Sequence, residues 1–426
     1  MTTRLTRRDL LACGLGTAGL LAGGLPRVWA AQRDPSPATR RPSRATRPDR
    51  SAEAPSLPVA IQRCESYERQ LLRRKLDEAL DLIGGIKRLV ENKTVTMKLN
   101  ITGGQAGKIG GLEPYQTYHC HPKMVAAVCA ALYDAGARRI VLVEGQYSRK
   151  PPEEFYASLG WDVQEIKSAG GNRVEFIDTR NRGPFPKYSR LKVPGGGHIF
   201  PAFDLSQAYE KTDVFISLAK MKDHGCAGVT ITVKNLFGIT PLALYGDDAP
   251  DENALNARNE MLHFGTRKLP AGVPGEVDHG WPAKAWQHRV PGITADLFMA
   301  RPVDLGIIDG IETNRGGEGP WIQGVAPVQP KLILVGRNGV CADAVCTAVM
   351  GYDPLADHAQ FPFQGDNHLK LLAAAGVGAI DPKRIEVRGL ALQKAIFPFN
   401  PKRTEVKHPL SYFHWDCARR RANAMA

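Results

Sequence analysis

Residues 213–238 read DVFISLAKMKDHGCAGVTITVKNLFG, and the rest of the chain is arranged around this stretch. It opens with a short apolar run, which is typical of a strand buried inside a sheet. Charged and glycine residues interrupt the run, and a helix is predicted to follow and to end at Gly238, because glycine is common just after a helix. Ionisable side chains placed directly after a buried strand lie at the carboxyl edge of a sheet, where open α/β folds bind ligands. The stretch therefore predicts the location of a site better than it predicts a reaction.

Strand and helix patterns alternate on both sides of this stretch. TVTMKLNI (94–101) and RIVLVE (139–144) have the pattern of strands, and a helix is predicted between them at 122–135. Strands are predicted again at 303–309 and 331–335. This rhythm is characteristic of a parallel sheet with crossover helices. We therefore predict an α/β fold with a mostly parallel sheet and flanking helices, in one lobe or two.

Composition divides the chain into five parts. They are a targeting segment (1–30), a linker rich in Arg, Pro, Ser and Ala that is predicted to be disordered (31–58), a helical segment (59–92), an α/β domain (93–390) and a C-terminal tail (391–426). Apolar spacing predicts one long helix over 67–92, interrupted at Gly84 and Gly85. Residues 240–292 are polar and rich in turn residues, so we predict a long insertion or lid there, with regular α/β structure resuming at 296–300.

The N-terminus has the features of an export signal. TRRDLL (6–11) resembles a twin-arginine motif, an apolar stretch rich in Gly and Ala follows at 10–25, and VWA (28–30) is a small-residue cleavage site. The apolar stretch is shorter than the ~20 residues that a membrane span needs, although a retained anchor is the alternative. We predict passage through the twin-arginine export machinery to the periplasm or another extracytoplasmic compartment, with no stable membrane span after cleavage.

Charge and cysteine spacing exclude several classes of protein. Of the net charge of +13, residues 1–50 carry +7, and the remainder shows no basic cluster interleaved with aromatic residues. We therefore predict no nucleic-acid partner. The eight cysteines include no Cys-x-x-Cys pair, so zinc-ribbon and ferredoxin-type iron–sulfur spacings are absent. The glycine loop at 103–111 has Ile after its lysine where a nucleotide P-loop has Ser or Thr, so a P-loop is not predicted either.

Four ordered blocks resemble the domain of unknown function 362 family. They are HCHPKMVAAVCAALYDAGARRIVLVEG (119–145), KMKDHGCAGVTITVKNLFG (220–238), IIDGI with GGEGP (307–320) and ADAVCTAVMGYDP (342–354). The resemblance runs from about residue 95 to 389 and implies an α/β fold without assigning a reaction. Some members of the family carry a ferredoxin-like cluster module, and this sequence lacks the cysteine run for it.

A second, fainter resemblance concerns chemistry. His224-x-x-Ala227-Gly228, with Lys234 ten residues after His224, is similar in spacing to the active-site block of the nickel-dependent lactate racemase family. In that family a histidine acts in proton or hydride chemistry and a lysine covalently holds a nickel pincer nucleotide. The resemblance would make His224 the catalytic histidine and Lys234 the cofactor lysine. Thr232-Val233 stands where that family has a glycine pair, and no position in this sequence matches the family's nickel-ligand histidine, for which the 240–292 segment is only a guess.

Lys234, Asn235 and His224 are the first candidate functional residues. Lys234 has apolar neighbours, which favours an anion-binding ammonium or a lysine with a lowered pKa over a solvated surface lysine. Asn235 beside it is a candidate cofactor-binding residue. His224 is a candidate general base or metal ligand, and a hydrogen-bonded loop histidine is the alternative.

Further candidates lie on neighbouring strand ends. His119 and His121 alternate along an extended segment, so they could chelate one metal ion if a third ligand converges, with hydrogen bonds to a neighbouring loop as the alternative. Glu312 is a further candidate metal ligand. Asp309 ends a buried strand and could act as an acid or base or bind a divalent ion, with helix capping and turn formation as the alternative. Candidate substrate-binding residues are Lys220, Lys222 and Asn100. Candidate cofactor-binding residues with an anion nest are Gly316, Gly317 and Gly319, although glycines also occur in ordinary tight turns.

These residues together favour an enzyme that acts on a small anionic substrate through a lysine, histidine and carboxylate pocket. The cofactor is unspecified, with a divalent metal ion as the candidate. One alternative is an exported protein that binds a small ligand or metal without turnover. Another is a racemase-like enzyme with a lysine-bound nickel nucleotide.

Overall fold

The computed structural model describes residues 48–104, 107–180, 188–247, 255 and 257–400. The predicted targeting segment, residues 31–47 of the linker and residues 401–426 of the tail lie outside the described residues. Within the described part, no helix combines the length and the apolar character that a membrane crossing requires.

The strands are, in chain order, β1 (Val59–Arg63), β2 (Thr94–Lys98), β3 (Arg139–Glu144), β4 (Val174–Asp178), β5 (Tyr188–Lys192), β6 (Ala202–Ser206), β7 (Val214–Lys220), β8 (Lys222–His224), β9 (Gly228–Thr230), β10 (Leu305–Gly310), β11 (Thr313–Arg315), β12 (Ala326–Val328), β13 (Leu332–Gly336) and β14 (Val387–Gly389). Eight of them form one sheet in the order β14-β1-β13-β10-β7-β2-β3-β4. Strand β13 runs antiparallel to β1 and β10, and the other sheet neighbours pair in parallel. The predicted α/β fold with a mostly parallel sheet is confirmed.

The helices are, in chain order, α1 (Arg69–Leu82), α2 (Lys87–Val90), α3 (Pro122–Asp134), α4 (Pro152–Ser158), α5 (Val163–Ala169), α6 (Gln207–Glu210), α7 (Thr232–Asn235), α8 (Leu242–Tyr245), α9 (Trp286–Ala300), α10 (Gly339–Val349), α11 (His368–Ala374) and α12 (Leu392–Ala395). A π-helix covers Asn259–Phe264, and single 3-10 turns cover Pro114–Gln116, Pro194–Gly196, Leu236–Ile239 and Pro382–Arg384.

Helices cover both faces of the sheet. Along β7, Val214 and Ile216 belong to one hydrophobic cluster, which includes α1 and α3, whereas Phe215 belongs to the other, which includes α9 and α10. This alternation follows from the period of two in a strand. The domain therefore has three layers, with apolar cores above and below a central sheet.

The N-terminal part of the domain differs in detail from the sequence prediction. Val59–Arg63 forms β1, between β13 and β14, instead of belonging to a helical segment. The predicted break in the following helix is present, because Gly84 and Gly85 adopt φ values of +93° and +71°, which favour glycine. Residues 48–58 of the predicted linker contact the domain, for example through the Arg50 N–H, which donates to Ala374 O at 2.9 Å.

Part of the predicted insertion is helical. Helix α9 begins at Trp286, ten residues before the point at which regular structure was predicted to resume, and buries Val290 and Ile293 in the core. The apolar positions in its first turns are separated by Gln, His, Arg, Pro and Gly, which hides the helical period.

The parallel register places ionisable side chains at one edge of the sheet. Asp309 at the end of β10 pairs with Lys220 at the end of β7. Lys98 ends β2 and Glu144 ends β3, in the same direction. Ionisable residues therefore lie at the ends of four adjacent strands on the carboxyl edge of the sheet, which is where the sequence predicts a site.

Candidate functional site

A cavity of about 350 Å³ lies at this edge. It is lined by the ends of β2 and β3, by the loop after β7, by α7 and by part of the 240–292 segment. Four of the sequence-predicted residues contribute to its wall, namely Asn100, His224, Lys234 and Asn235. Its volume is in the range of small-molecule sites.

Helix α7 holds Lys234 in place. It is a single turn, and its first amides, those of Thr232 and Val233, donate to the two carboxylate oxygens of Asp343 at 2.9 and 2.8 Å. Asp343 is fully buried in α10. Because a lone helical turn is not stable by itself, this carboxylate fixes the position from which Lys234 enters the cavity.

Lys234 is a buried amine on the cavity wall. Its exposed fraction is 6%, and Nζ lies 3.7 Å from the centre of the Phe237 ring. Among the described residues, the charged groups that influence Lys234 act at a distance, and none of them is hydrogen-bonded to its Nζ. Burial lowers the pKa of Lys234 to about 7, although the Glu318 carboxylate opposes this shift. Near neutral pH, Lys234 therefore exchanges readily between an ammonium and a nucleophilic amine.

His224 enters the cavity as a neutral imidazole. Its Nδ1 accepts the backbone N–H of Cys226 at 3.1 Å and of Ala227 at 3.4 Å. An accepting Nδ1 assigns the proton to Nε2, the nitrogen left to reach a ligand. Burial lowers the pKa of His224 to about 3. In this state Nε2 carries the proton, so it can donate a hydrogen bond to a ligand and is not a free base.

Glu318 is a site residue that the sequence analysis missed. Its carboxylate accepts the Gly225 N–H at 3.2 Å and the Trp321 Nε1–H at 3.1 Å, and it lies 3.9 Å from His224 Nδ1. The available signal was its position as the only ionisable residue within GGEGP, between Gly317 and Gly319. Glu318 supplies a negative charge opposite Lys234.

The 240–292 segment supplies Arg258 and His263 to the cavity. Arg258 donates through Nε and Nη2 to Thr240 O at 3.0 and 2.7 Å, and through Nη1 to the Tyr147 hydroxyl at 2.6 Å. Burial lowers the pKa of His263 to about 4, so its imidazole is neutral. The charged groups in the wall are Lys98, Lys234 and Arg258 against Glu144 and Glu318, which leaves an excess of one positive charge when Lys234 is protonated.

Asn100 and Asn235 bond to each other. The Asn100 amide donates to Asn235 Oδ1 at 2.8 Å, and the Asn235 amide donates to the Ser217 hydroxyl at 3.0 Å. Next to them, Lys98 and Glu144 form a buried ion pair at 2.7 Å. These contacts join the ends of β2, β3 and β7, so both asparagines also stabilise the wall that they line.

A second polar cluster lies beside the cavity and does not line it. Lys220 and Asp309, both fully buried, form an ion pair at 2.9 Å. The Tyr67 hydroxyl donates to Asp309 Oδ1 at 2.6 Å, and the Tyr67 ring stacks on His121 at 3.7 Å. The backbone N–H of His121 completes the cluster by donating to Asp309 Oδ2 at 3.2 Å.

Lys222 also lies outside the cavity wall. It is fully buried, and its Nζ donates to Tyr118 O at 2.7 Å. Burial lowers the pKa of Lys222 to about 7. Of the three lysines expected in the pocket, the structure places only Lys234 there.

The residues predicted to bind a metal do not converge. His119 Nε2 lies 2.9 Å from Thr102 O, His121 Nδ1 accepts the Lys123 N–H at 3.1 Å, and Glu312 Oε1 accepts from Gln329 at 3.4 Å. In the described ranges, these three are in no group of three or more possible ligands whose donor atoms lie within 4.8 Å of one another.

The three predicted nest glycines shape the Glu318 loop. Gly316 adopts φ +88°, and its N–H donates to Asp223 Oδ2 at 2.6 Å. A Cβ at Gly319 would lie 2.3 Å from the Trp321 ring. In this structure the anion held by a glycine N–H is the protein's own Asp223, whose pKa burial raises to about 6.

Two solved structures show a remote likeness. A protein from Thermotoga maritima gives a TM-score of 0.36 at 13% identity, covering 68% of this chain and 61% of that one. The lactate racemase apoprotein from Thermoanaerobacterium thermosaccharolyticum gives 0.34 at 14% identity, covering 70% and 58%. This chain thus matches less than two thirds of either structure, and scores this low carry no conclusion about its activity.

Sequence comparisons identify a relative and a family. A thylakoid-associated protein of Synechocystis sp. is 25% identical over 315 residues, which cover 70% of this chain and 75% of the relative. Residues 95–348 match the family described as a domain of unknown function (DUF362). This range contains the strands, helix α7 and the loops that form most of the cavity wall. Because the match covers more than half of the chain, the protein belongs to the DUF362 family.

Proposed function

We propose that the protein is an enzyme that acts on a small anionic substrate in this cavity, with Lys234 as the reactive group. The supporting observation is Lys234 itself, a buried amine with no bonding partner among the described residues and a pKa of about 7. Burying a lysine without a partner costs free energy, so such a lysine is expected where its amine takes part in a reaction.

Each wall residue has a distinct part in this proposal. Arg258 and Lys98 supply the positive charges in the wall that would receive the anionic group of the substrate. His224 donates Nε2–H to a substrate oxygen. The neutral amine of Lys234 abstracts a proton from the substrate or attacks its carbonyl carbon. Lys220 and Asp309, which were expected in the reaction, hold the loop from beside the cavity.

Proton abstraction can be tested without knowing the substrate. Pools of small 2-hydroxy, 2-oxo and amino acids are incubated with the protein in D₂O, and loss of the C–H signal next to the carboxylate is followed by proton NMR. A second sample is treated with borohydride, which traps an imine on Lys234 for peptide mapping. The proposal expects exchange or trapping with the wild type, and neither with Lys234→Ala.

The same experiment separates an enzyme from a binding protein. Catalysis predicts that His224→Ala retains ligand binding, seen as line broadening of the ligand, while exchange or trapping falls. A ligand that binds the wild type tightly but is never exchanged or trapped would instead favour capture without turnover. If no pool member binds, exchanges or is trapped, the proposed substrate class is wrong.

A second candidate function is the racemase-like enzyme with a nickel nucleotide on Lys234. The observation that favours it is His263, which comes from the 240–292 segment and lines the same cavity as His224 and Lys234. Its neutral imidazole suits a metal ion, and the amine of Lys234 is available for a covalent link. Such a group would supply proton or hydride chemistry at the substrate carbon.

Intact mass and metal analysis of protein from its native host test this second candidate. A nucleotide-sized adduct that maps to Lys234, with nickel present in equal amount, would support it. Protein of unmodified mass without nickel would eliminate it and leave the amine chemistry of Lys234. In this test, Lys234→Arg should abolish the adduct, whereas His263→Gln should lower the nickel content and retain the covalent link.

We also propose that the protein is exported by the twin-arginine route. The support is the TRRDLL sequence with its apolar stretch and cleavage site, and the Synechocystis relative is named for its association with thylakoids. Fractionation of cells that produce the wild type should give mature protein outside the cytoplasm. Replacing Arg7 and Arg8 by Lys should leave full-length precursor in the cytoplasm, and equal export of both forms would refute the route.

A further inference from the structure

A second group of metal-ligating side chains lies away from the cavity. His288 is in the first turn of α9, and His358 and Asp366 are in the loop between α10 and α11. Across the described ranges, they form the only group of three or more His, Cys, Asp or Glu residues whose ligand atoms all lie within 4.8 Å of one another. None of the three lines the cavity, and the proposed function does not use them.

One nitrogen of each imidazole is directed at the same carboxylate. His288 Nδ1 lies 3.0 Å from Asp366 Oδ2, and His358 Nδ1 lies 2.8 Å from Asp366 Oδ1. The two rings stack with their centres 5.1 Å apart and an interplanar angle of 17°. Ligands of a tetrahedral zinc ion are about 3.3 Å apart, as follows from bonds of about 2.0–2.1 Å. A small outward movement of the half-exposed His358 would therefore admit an ion.

The surroundings hold these ligands in position. The Trp281 ring stacks on His288 at 4.4 Å with an interplanar angle of 14°. The Asp366 N–H donates to Gln287 O at 2.8 Å. Gly365 permits this approach, because a Cβ there would lie 2.1 Å from the same carbonyl oxygen. The loop is thus seated on the start of α9 by contacts that do not involve the proposed ion.

We propose that His288, His358 and Asp366 bind one divalent transition-metal ion of the Zn²⁺ class. Two imidazoles and a carboxylate are ligands that zinc prefers, and three protein ligands leave a coordination position for water. With neutral imidazoles the group carries one negative charge, which a dication compensates. The bound ion fastens the start of α9 to the loop between α10 and α11. Side-chain exposures of 26%, 46% and 21% leave the group reachable from solvent.

Metal titration of the whole protein tests this assignment. The protein is stripped with a chelator and titrated with Co²⁺, whose visible absorption reports nitrogen and oxygen coordination, and then with Zn²⁺ in competition. The expected result is one ion bound per chain, a raised thermal midpoint, and affinity at least tenfold lower in His358→Gln and in Asp366→Asn. His358 is half-exposed, so its replacement leaves the folded chain available for measurement.

His279→Gln is the matched control. His279 stacks on Trp281 and bonds to Glu276, close to the group without belonging to it, so this variant should bind the ion as the wild type does. The assignment is overturned if the stripped wild type binds no ion. It is also overturned if His358→Gln and Asp366→Asn bind as tightly as the wild type, since the ion would then be held elsewhere.

Discussion

The lowered pKa of Lys234 predicts that cyanate modifies this lysine selectively at pH 7. With a pKa of about 7, half of the Lys234 amines are neutral at that pH. An ordinary lysine with a pKa of about 10.4 is neutral in only about 0.04% of molecules. The neutral fraction therefore differs by about a thousandfold, although a less basic amine is a weaker nucleophile.

The net advantage can be worked out from these two effects. If amine reactivity falls with pKa by a Brønsted coefficient of about 0.4–0.5, as it does for thiols, the difference in basicity removes a factor of about 30. Lys234 should then react about 40 times faster than a surface lysine, provided that cyanate enters the cavity. Cyanate is small relative to a cavity of about 350 Å³, so access should not limit the rate.

Lys222 is the internal control for access. Its pKa is also lowered to about 7, but it is fully buried and its Nζ donates to Tyr118 O. Peptide mapping by mass spectrometry after timed exposure should show rapid carbamylation of Lys234 and almost none of Lys222. The rate at Lys234 should level off above about pH 7, while surface lysines continue to gain reactivity up to pH 10.

Three results decide whether this reasoning holds. Glu318→Gln should shift the midpoint of the Lys234 rate profile to lower pH, because the Glu318 carboxylate favours the charged amine. A Lys234 rate no greater than that of a typical surface lysine would refute the lowered pKa or the open cavity. Equal modification of Lys234 and Lys222 would show that local unfolding, and not the cavity, gives access.

Three further predictions concern stability and are measured by urea unfolding. Lys234→Met should stabilise the fold by a few kcal/mol, at about 1.4 kcal/mol per unit of pKa shift. In the folded wild type the pKa of Lys234 is about 7, below its value in the unfolded chain. Between about pH 7 and 10.5 the unfolded wild type therefore binds more protons than the folded one, and the free energy of unfolding of the wild type rises with pH there. The stability gained by Lys234→Met should thus be largest below pH 7 and vanish above pH 10.5. A gain that does not change with pH would contradict the lowered pKa of Lys234. Asp309→Ala should cost about 3–5 kcal/mol, because Lys220 stays buried without its counter-charge. The exposed pair of Asp357 and Lys370 provides the comparison, and equal losses from Asp309→Ala and Asp357→Ala would refute this reasoning. Asp343→Ala should cost about 2–6 kcal/mol, at about 1–3 kcal/mol for each buried amide left unbonded, and a loss below 1 kcal/mol would mean that α7 needs no such anchor.

Much of the candidate site was predictable because local patterns encode strand ends. The apolar run of β7 and the charged residues after it placed Lys234 and His224 at the carboxyl edge, and both line the cavity. Lys220 and Lys222 have the same local pattern, yet they lie outside the cavity wall. The direction of a side chain after a strand depends on its tertiary partners, which are Asp309 for Lys220 and Tyr118 for Lys222.

Other site residues had no local signal strong enough to select them. Arg258 and His263 come from a segment with no clear period, and only the folded chain brings them to the cavity. The group of His288, His358 and Asp366 joins positions up to 78 residues apart, so no sequence spacing identifies it. His119 and His121 show the converse, because their spacing suggests a chelating pair that the structure does not assemble.

Local sequence patterns are enough to predict the layered α/β architecture, the edge of the sheet that carries the candidate site, and the importance of the stretch after β7. These features follow from hydrophobic period and strand direction, which are properties of neighbouring residues. Only the folded chain shows which ionisable groups pair, which remain available and how far burial shifts each pKa. Those outcomes depend on desolvation and on charges from distant parts of the chain. They distinguish Lys234, which has no bonding partner among the described residues, from Lys220, whose charge is compensated by the ion pair with Asp309.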